Sequence, residues 1–230
     1  MAGKLKEKEI EAIIKNSQKL VLYGRVGTGK TTMAVNTFKG DCYILTLHAD
    51  MVVQELIGHY IPKGGEFVWQ DGVATRAWRE GKPLILNEID EAANAVMTIL
   101  HALLDDFEVA QLTLPTGETI KPKEGYKVIA TMNGKPEDLP IAVKDRLAVR
   151  IKIDTPPKGL DLAPAIQKAL NNSYDDANPV MTTREAIAFN QLIPHVGMEA
   201  ASLAVFGERG QDIMSVIKML EEKARTAKKE

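Results

Sequence analysis

Apolar positions along the chain follow two alternating periods, and one of them stops near residue 155. Lys19-Leu-Val-Leu-Tyr-Gly24 is a short apolar run ending at glycine, which has the length and the stop of a buried strand. Comparable runs recur over Asp41–Leu47, Gly125–Asn133 and Ala148–Ile153, and over Pro83–Glu91 as an apolar strand running into four polar or acidic positions. Between them the period lengthens to that of a helix, over 3–16, Thr31–Phe38, Met51–Ile57, Val73–Arg79, Ala92–Asp105 and Asp138–Leu147. Over 3–16 the shared face is Leu5, Ile10, Ile13 and Ile14; over Ala92–Asp105 it is Val96, Ile99, Leu100, Leu103 and Leu104. Residues 58–72 alternate about Gly64-Gly65, and 108–120 about Pro115-Thr-Gly117, so both read as hairpins. Strands alternating with helices predict an α/β fold, three layers on a central parallel sheet.

At Asp154-Thr-Pro-Pro-Lys-Gly159 tandem prolines and a glycine mark a linker. Beyond it only helical periods remain, at about 160–171, 182–193, 196–206 and 211–227. The expected organisation is an α/β domain over 1–154 followed by a small all-helical domain over 155–230.

The chemistry begins where the first strand ends. Gly24-Arg-Val-Gly-Thr-Gly-Lys-Thr31 fits the phosphate-loop pattern G-x-x-x-x-G-K-[ST] in a strand–loop–helix context. Glycines allow positive φ and keep Cβ atoms away, so that backbone N–H groups wrap a phosphate. The following helix aims its positive N-terminus at the same anion. Gly24, Arg25, Val26, Gly27, Thr28, Gly29, Lys30, Thr31 and Thr32 are therefore the expected ATP-binding residues. Lys30 reaches the β- and γ-phosphates and the Thr31 hydroxyl is a Mg²⁺ ligand.

Leu84-Ile-Leu-Asn-Glu-Ile-Asp-Glu91 supplies the second half of such a site. An apolar strand ending in a carboxylate pair holds a Mg²⁺-bound water with one group and polarises the attacking water with the other. Here the pair is Asn87-Glu88, which makes Asn87 a metal-side residue without a charge and Glu88 the catalytic carboxylate. Asp90 and Glu91 fit a solvated helix start, since acids favour that position; Glu88 fits it less well.

Composition narrows the partners. The chain has 230 residues and a formal net charge of −2, so no overall basic surface indicates nucleic acid. The single cysteine, Cys42, sits in an apolar run, and no disulfide framework is expected. No apolar run has the length of a membrane span, and Met1–Ile10 lacks the apolar core of a signal peptide, so the expected location is cytoplasmic, away from membranes. The basic stretch Lys223–Lys229 reads as a solvated helix end.

Over about residues 18–225 the chain resembles AAA+ ATPases of the MoxR/CbbQ/NorQ/GvpN group, of the dynein-related and McrB-like branch. The phosphate loop carries the resemblance, together with Leu47–Gly58 and Gly65–Gly72 as the group's insert in its second helix, Leu84–Ala92, the sensor-like strand Val128–Asn133, and Leu139–Leu147. The resemblance implies ATP and Mg²⁺ as cofactors, Glu88 as catalytic glutamate, Asn133 orienting the attacking water and γ-phosphate, Arg146 as a finger reaching a neighbour's nucleotide, and Arg184 as a lid arginine. It also implies a homo-oligomeric ring, a hexamer, that remodels or matures a client protein, in some relatives beside a von Willebrand A-type partner. The chain departs from the group at Asn87, where an aspartate is usual, and at Arg25-Val26, where prolines are usual. Two other readings stay open: a slow or non-hydrolysing nucleotide-dependent assembly module, and a DNA-linked McrB-like motor in which Lys63, Lys121 and Lys123 line a pore.

Overall fold

The computed structural model describes residues 5–157, 159–175 and 180–226. Residues 3–4 of the first expected helix, Lys158 of the linker and the tail beyond 226 lie outside the described residues. The first unit runs α1 (Glu7–Asn16), β1 (Lys19–Tyr23), α2 (Lys30–Thr37), β2 (Tyr43–Thr46), α3 (Val53–Ile57), β3 (Gly58–Lys63), β4 (Glu66–Asp71), α4 (Val73–Glu80), β5 (Pro83–Asn87), α5 (Asn94–Leu103), β6 (Leu112–Thr113), β7 (Thr119–Ile120), β8 (Lys127–Met132), α6 (Ile141–Arg146) and β9 (Val149–Lys152). Both expected hairpins form, β3 with β4 and β6 with β7. The second is shorter than its pattern, because Val109 and Ala110 donate their N–H groups to Asp106 O and close a turn instead. Likewise α6 starts at Ile141 and not at Asp138, since Leu139 precedes Pro140 and is thereby kept out of the helical region.

Five strands make one parallel sheet in the order β2-β5-β8-β1-β9. Period-two alternation in these strands builds a core on each face. Leu20, Leu22, Ile85, Ile129 and Ile151 point to the side of α1 and α2, where Ile10, Ile14 and Ala34 meet them. Val21, Leu84, Leu86, Val128, Ala130 and Met132 point to the other side, against Trp78, Val96, Leu100 and Val143. The result is the three-layer α/β/α architecture expected from the sequence.

The second unit holds α7 (Pro164–Asp175), α8 (Thr183–Phe206) and α9 (Gly210–Thr226), packed on Ile166, Leu170, Phe189, Phe206 and Ile217. Helix α7 begins at Pro164 and not near 160, proline being suited to the first helical position, where its missing N–H costs nothing. The two helices expected over 182–193 and 196–206 form one span broken at Gly197, which takes φ 80° and ψ 165° three residues after Pro194. Contacts divide the chain at Ile153, with one exception to the expected division at 154: Arg25–Gly29, inside the phosphate loop, group with the residues from Asp154 onward. Among the described residues no helix is long and apolar enough to cross a membrane.

Candidate nucleotide site

The parallel sheet places the ends of β1, β5 and β8 side by side, and the functional side chains leave from those ends. Tyr23 pairs with Met132, so Gly24 and Asn133 emerge as neighbours. Gly24 has φ +136°, and a Cβ there would stand 2.3 Å from Ile153 O; only glycine turns the chain at this point. Lys30 opens α2 and is 7% exposed. Its ammonium donates to Gly24 O at 2.9 Å and to Asn133 Oδ1 at 3.0 Å. Burial holds the Lys30 pKa below the ordinary lysine value, opposed by the nearby charges of Asp90 and Glu88. Thr32 is exposed.

Register explains the next group. Thr46 pairs with Asn87 across β2 and β5, and Leu86 pairs with Ala130, which brings Asn87 beside Thr131. Three polar side chains therefore lie in a row across three strands. Asn87 Oδ1 accepts from Thr31 Oγ1 at 2.5 Å and from Thr131 Oγ1 at 2.6 Å, and Asn87 Nδ2 donates to Thr46 Oγ1 at 3.4 Å. The phosphate-loop threonine thus has an acceptor for its proton and keeps its lone pairs for a cation. Thr31 and Asn87 offer neutral oxygens, which suits Mg²⁺ that retains waters and leans on phosphates. Among the described residues no group of three or more His, Cys, Asp or Glu is placed to cage a metal alone.

Glu88 follows at φ 58° and ψ 52°, one of two described non-glycine residues with positive φ. Such strained backbone, of order 1–3 kcal/mol, concentrates at active sites. Its N–H lies 3.4 Å from Thr131 Oγ1. Asp90 lies in the 3-10 turn Ile89–Glu91 and not at the start of α5, which begins only at Asn94. Instead Asp90 Oδ2 accepts from the N–H groups of Asn133 and Gly134, both at 3.2 Å.

The structure brings Gly24, Lys30, Thr31, Asn87, Glu88 and Asn133 to one edge of the sheet. It does not bring Arg146 there. Arg146 ends α6 just before β9, and Val149 pairs with Leu20, so Arg146 stands at the opposite edge. It lines an open groove of about 540 Å³ with Ser17, Lys19, Asp105 and Asp145. Four residues of strand at about 3.3 Å each separate that edge from Gly24. Arg146 donates from Nε to Asp105 Oδ1 at 2.7 Å and from Nη1 to Ala142 O at 3.0 Å, and its Nη2 forms an ion pair with the same Asp105 oxygen at 2.6 Å. In the second unit Arg184 is exposed in the first turn of α8, next to the Thr182–Glu185 capping box. There too, Arg25 Nη1 donates to Ser173 O at 3.2 Å, Thr28 Oγ1 to Arg25 O at 3.0 Å, and Tyr174 Oη to Gly27 O at 3.4 Å. Val26 is exposed and Gly29 has φ +78°.

Thr46 and Thr131 are site neighbours that the sequence reading passed over, and Asp90 is one that it read as a helix start. Thr131 carried a signal, a hydroxyl in the middle of the apolar run Val128–Met132 with 1% exposure. Asp90 carried none, because its partner Asn133 is 43 residues away.

A phosphate loop closing the inner strand β1 of a five-stranded parallel sheet, with polar residues at the ends of β8 and β5 beyond it, defines a P-loop nucleotide-binding protein. Residues 19–147 match the AAA domain of the dynein-related subfamily, and the chain belongs to that family. It is 37% identical to the protein NorQ of Paracoccus denitrificans (strain Pd 1222) over 126 residues, which are 54% of this chain and 46% of NorQ. It is 28% identical to the denitrification regulatory protein NirQ of Stutzerimonas stutzeri over 144 residues, 60% of this chain and 52% of NirQ. These relatives set it in the MoxR-like group of AAA+ ATPases, and the chain spans about half their length. Among solved structures, NtrX from Brucella abortus shares the fold, with TM-score 0.55 at 15% identity over 94% of this chain and 48% of that one.

Proposed function

We propose that the protein hydrolyses ATP with Mg²⁺ in a homo-oligomeric ring and uses the cycle to remodel a partner protein. The observation that carries this reading is the convergence of Lys30, Thr31, Asn87, Glu88 and Asn133 on one sheet edge beside the phosphate loop. The NtrX structure solved in complex with ADP has the same fold, with TM-score 0.53, which supports a nucleotide in this chain as well. Thr31 and Asn87 would hold Mg²⁺ on the protein side, and the bound ion would supply charge neutralisation on the phosphates. Lys30 binds the phosphates as a compact charge, Glu88 takes up the proton of the attacking water, and Asn133 orients that water and the γ-phosphate. Arg146, at the far sheet edge, supports a site completed by a neighbouring subunit. The β3–β4 hairpin exposes Phe67 at 76% and Tyr60 at 48% on one face, apolar surface suited to a protein client. Turnover measured against protein concentration and Mg²⁺ tests the reading. Specific activity is expected to rise as rings form, and the absence of Mg²⁺-dependent phosphate release at any concentration overturns hydrolysis.

A neutral residue at position 87 favours one refinement, slow turnover limited by weak Mg²⁺ capture. Asn87→Asp keeps an oxygen for the Thr31 and Thr131 hydroxyls, and Thr46 Oγ1 can turn to donate to the second oxygen. The added charge is expected to lower the Mg²⁺ concentration for half-maximal activity about tenfold, or roughly 1.4 kcal/mol. Without nucleotide the same variant is expected to melt lower, since the new carboxylate adds to the negative charge of Glu88, its neighbour in the chain, before Mg²⁺ is bound. A Mg²⁺ titration and a melting curve with and without Mg²⁺·ATP check both parts. An unchanged Mg²⁺ requirement means that Asn87 is not on the metal side of the site.

A further inference from the structure

Asp90 is a carboxylate at this edge whose bonds reach a different strand end. It sits in the 3-10 turn Ile89–Glu91 that follows β5, and its Oδ2 accepts two successive N–H groups, those of Asn133 and Gly134, at 3.2 Å each. Asn133 then returns its side-chain oxygen to Lys30 Nζ at 3.0 Å. One line of contacts therefore runs from Asp90 through the backbone and side chain of Asn133 to the phosphate-loop lysine. Gly134 keeps this arrangement close, since a Cβ there would stand 3.2 Å from Asp138 Oδ2 and 3.6 Å from Asp90 Oδ2.

The second oxygen, Asp90 Oδ1, is buried and has no hydrogen-bond partner among the described residues. Protein chains rarely leave a carboxylate oxygen so, and where they do the group calls for a functional explanation. Packing does not supply one, because an apolar side chain would fill the turn without desolvating a charge. The two bonds from the Asn133–Gly134 turn do supply one. They fix the backbone from which Asn133 projects, and displacement of a reacting or orienting group by about 1 Å can cost on the order of 10²-fold in rate.

We propose that Asp90 is a positioning residue that clamps the Asn133–Gly134 turn and so sets Asn133 Oδ1 against the Lys30 ammonium. The clamp rests on the hydrolytic reading only for its effect on rate; its geometry does not. Asp90→Asn keeps an oxygen that can accept both N–H groups, whereas Asp90→Leu has the bulk and accepts neither. Two measurements separate the possibilities. By amide hydrogen exchange on the nucleotide-free protein, Asn133 and Gly134 are expected to lose protection in Asp90→Leu and keep it in Asp90→Asn. By steady-state kinetics, Asp90→Leu is expected to lose turnover 10–100-fold with nucleotide affinity within about threefold of the parent. Asp90→Asn should stay within about threefold of the parent in both. In an Asn133→Ala background, Asp90→Leu should remove no more than a further factor of about two, because a group that acts through Asn133 has nothing left to position.

Unchanged exchange at Asn133 and Gly134 in Asp90→Leu overturns the clamp. So does a turnover loss that multiplies with that of Asn133→Ala, which would assign Asp90 a separate role. If the parent protein shows no turnover at all, the hydrolytic reading fails while the exchange measurement still decides the clamp.

Discussion

Lys30→Met is expected to fold as well as the parent and to lose at least tenfold in affinity for ATP. The ammonium is buried in the phosphate loop, and its hydrogen bonds include those to the Gly24 carbonyl and the Asn133 amide oxygen. A hydrogen bond to a charged group is worth about 1.5–3 kcal/mol, and 1.4 kcal/mol is already tenfold. Methionine fills the stem's volume and removes the charge, so the loss falls on binding and not on packing. The sign of the pH dependence follows from the lowered Lys30 pKa. Between that value and the ordinary lysine value the unfolded chain binds more protons, so parent stability rises with pH through that window. In Lys30→Met this contribution is absent. Thermal shift makes the binding part visible. A ligand at about 100 times its Kd stabilises by about 2.7 kcal/mol, and a tenfold weaker site at the same concentration by only about 1.4 kcal/mol. Equal ATP-induced shifts in parent and variant would mean that the Gly24–Thr31 loop does not hold the phosphates.

What the sequence made legible was whatever repeats a local rule. The five central strands are apolar runs of strand length, and the loop after β1 is a spacing of glycines, lysine and threonine that few other structures use. Both appear in the structure within a few residues of their expected bounds. Boundaries slipped where a proline acts at a distance of one or two residues, as at Leu139-Pro140 before α6 and Pro164 at the start of α7. The row Thr46–Asn87–Thr131 was hidden for another reason. It is a product of strand order and register, and β2, β5 and β8 are separated in the chain by helices and hairpins. A carboxylate such as Asp90 looks in sequence like any acid before a helix, and only the neighbouring strand end shows that it serves Asn133. Arg146 presents the reverse case. Its neighbours in the chain suggested a finger, and the structure adds that it stands on the edge of the sheet away from its own phosphate loop, paired with Asp105.

That placement leads to the second large effect. Arg146→Ala is expected to bind ATP much as the parent does and to hydrolyse it 10³–10⁵ times more slowly, the range found for arginines that neutralise charge on a transferring phosphoryl group. Glu88→Gln is expected to be inactive for a different reason, since the amide cannot take a proton from water. If the arginine acts across a subunit joint, the two inactive proteins should restore one another on mixing. An Arg146→Ala subunit keeps Glu88 in its own site, and a Glu88→Gln neighbour offers the intact arginine. Random rings from equal amounts would carry that pairing at about one joint in four, so recovered activity should approach about a quarter of the parent's. Asp105 is 36% exposed on its side chain, so losing its arginine leaves a carboxylate that water can reach and the fold should survive. Mixing requires subunits to exchange, which sizing of a labelled mixture establishes independently. With exchange demonstrated, recovery of activity carries the argument to a shared site. No recovery, together with activity per subunit that is flat down to concentrations where only monomer is present, would make the protein a self-contained nucleotide switch and leave Arg146 as one half of a surface ion pair with Asp105.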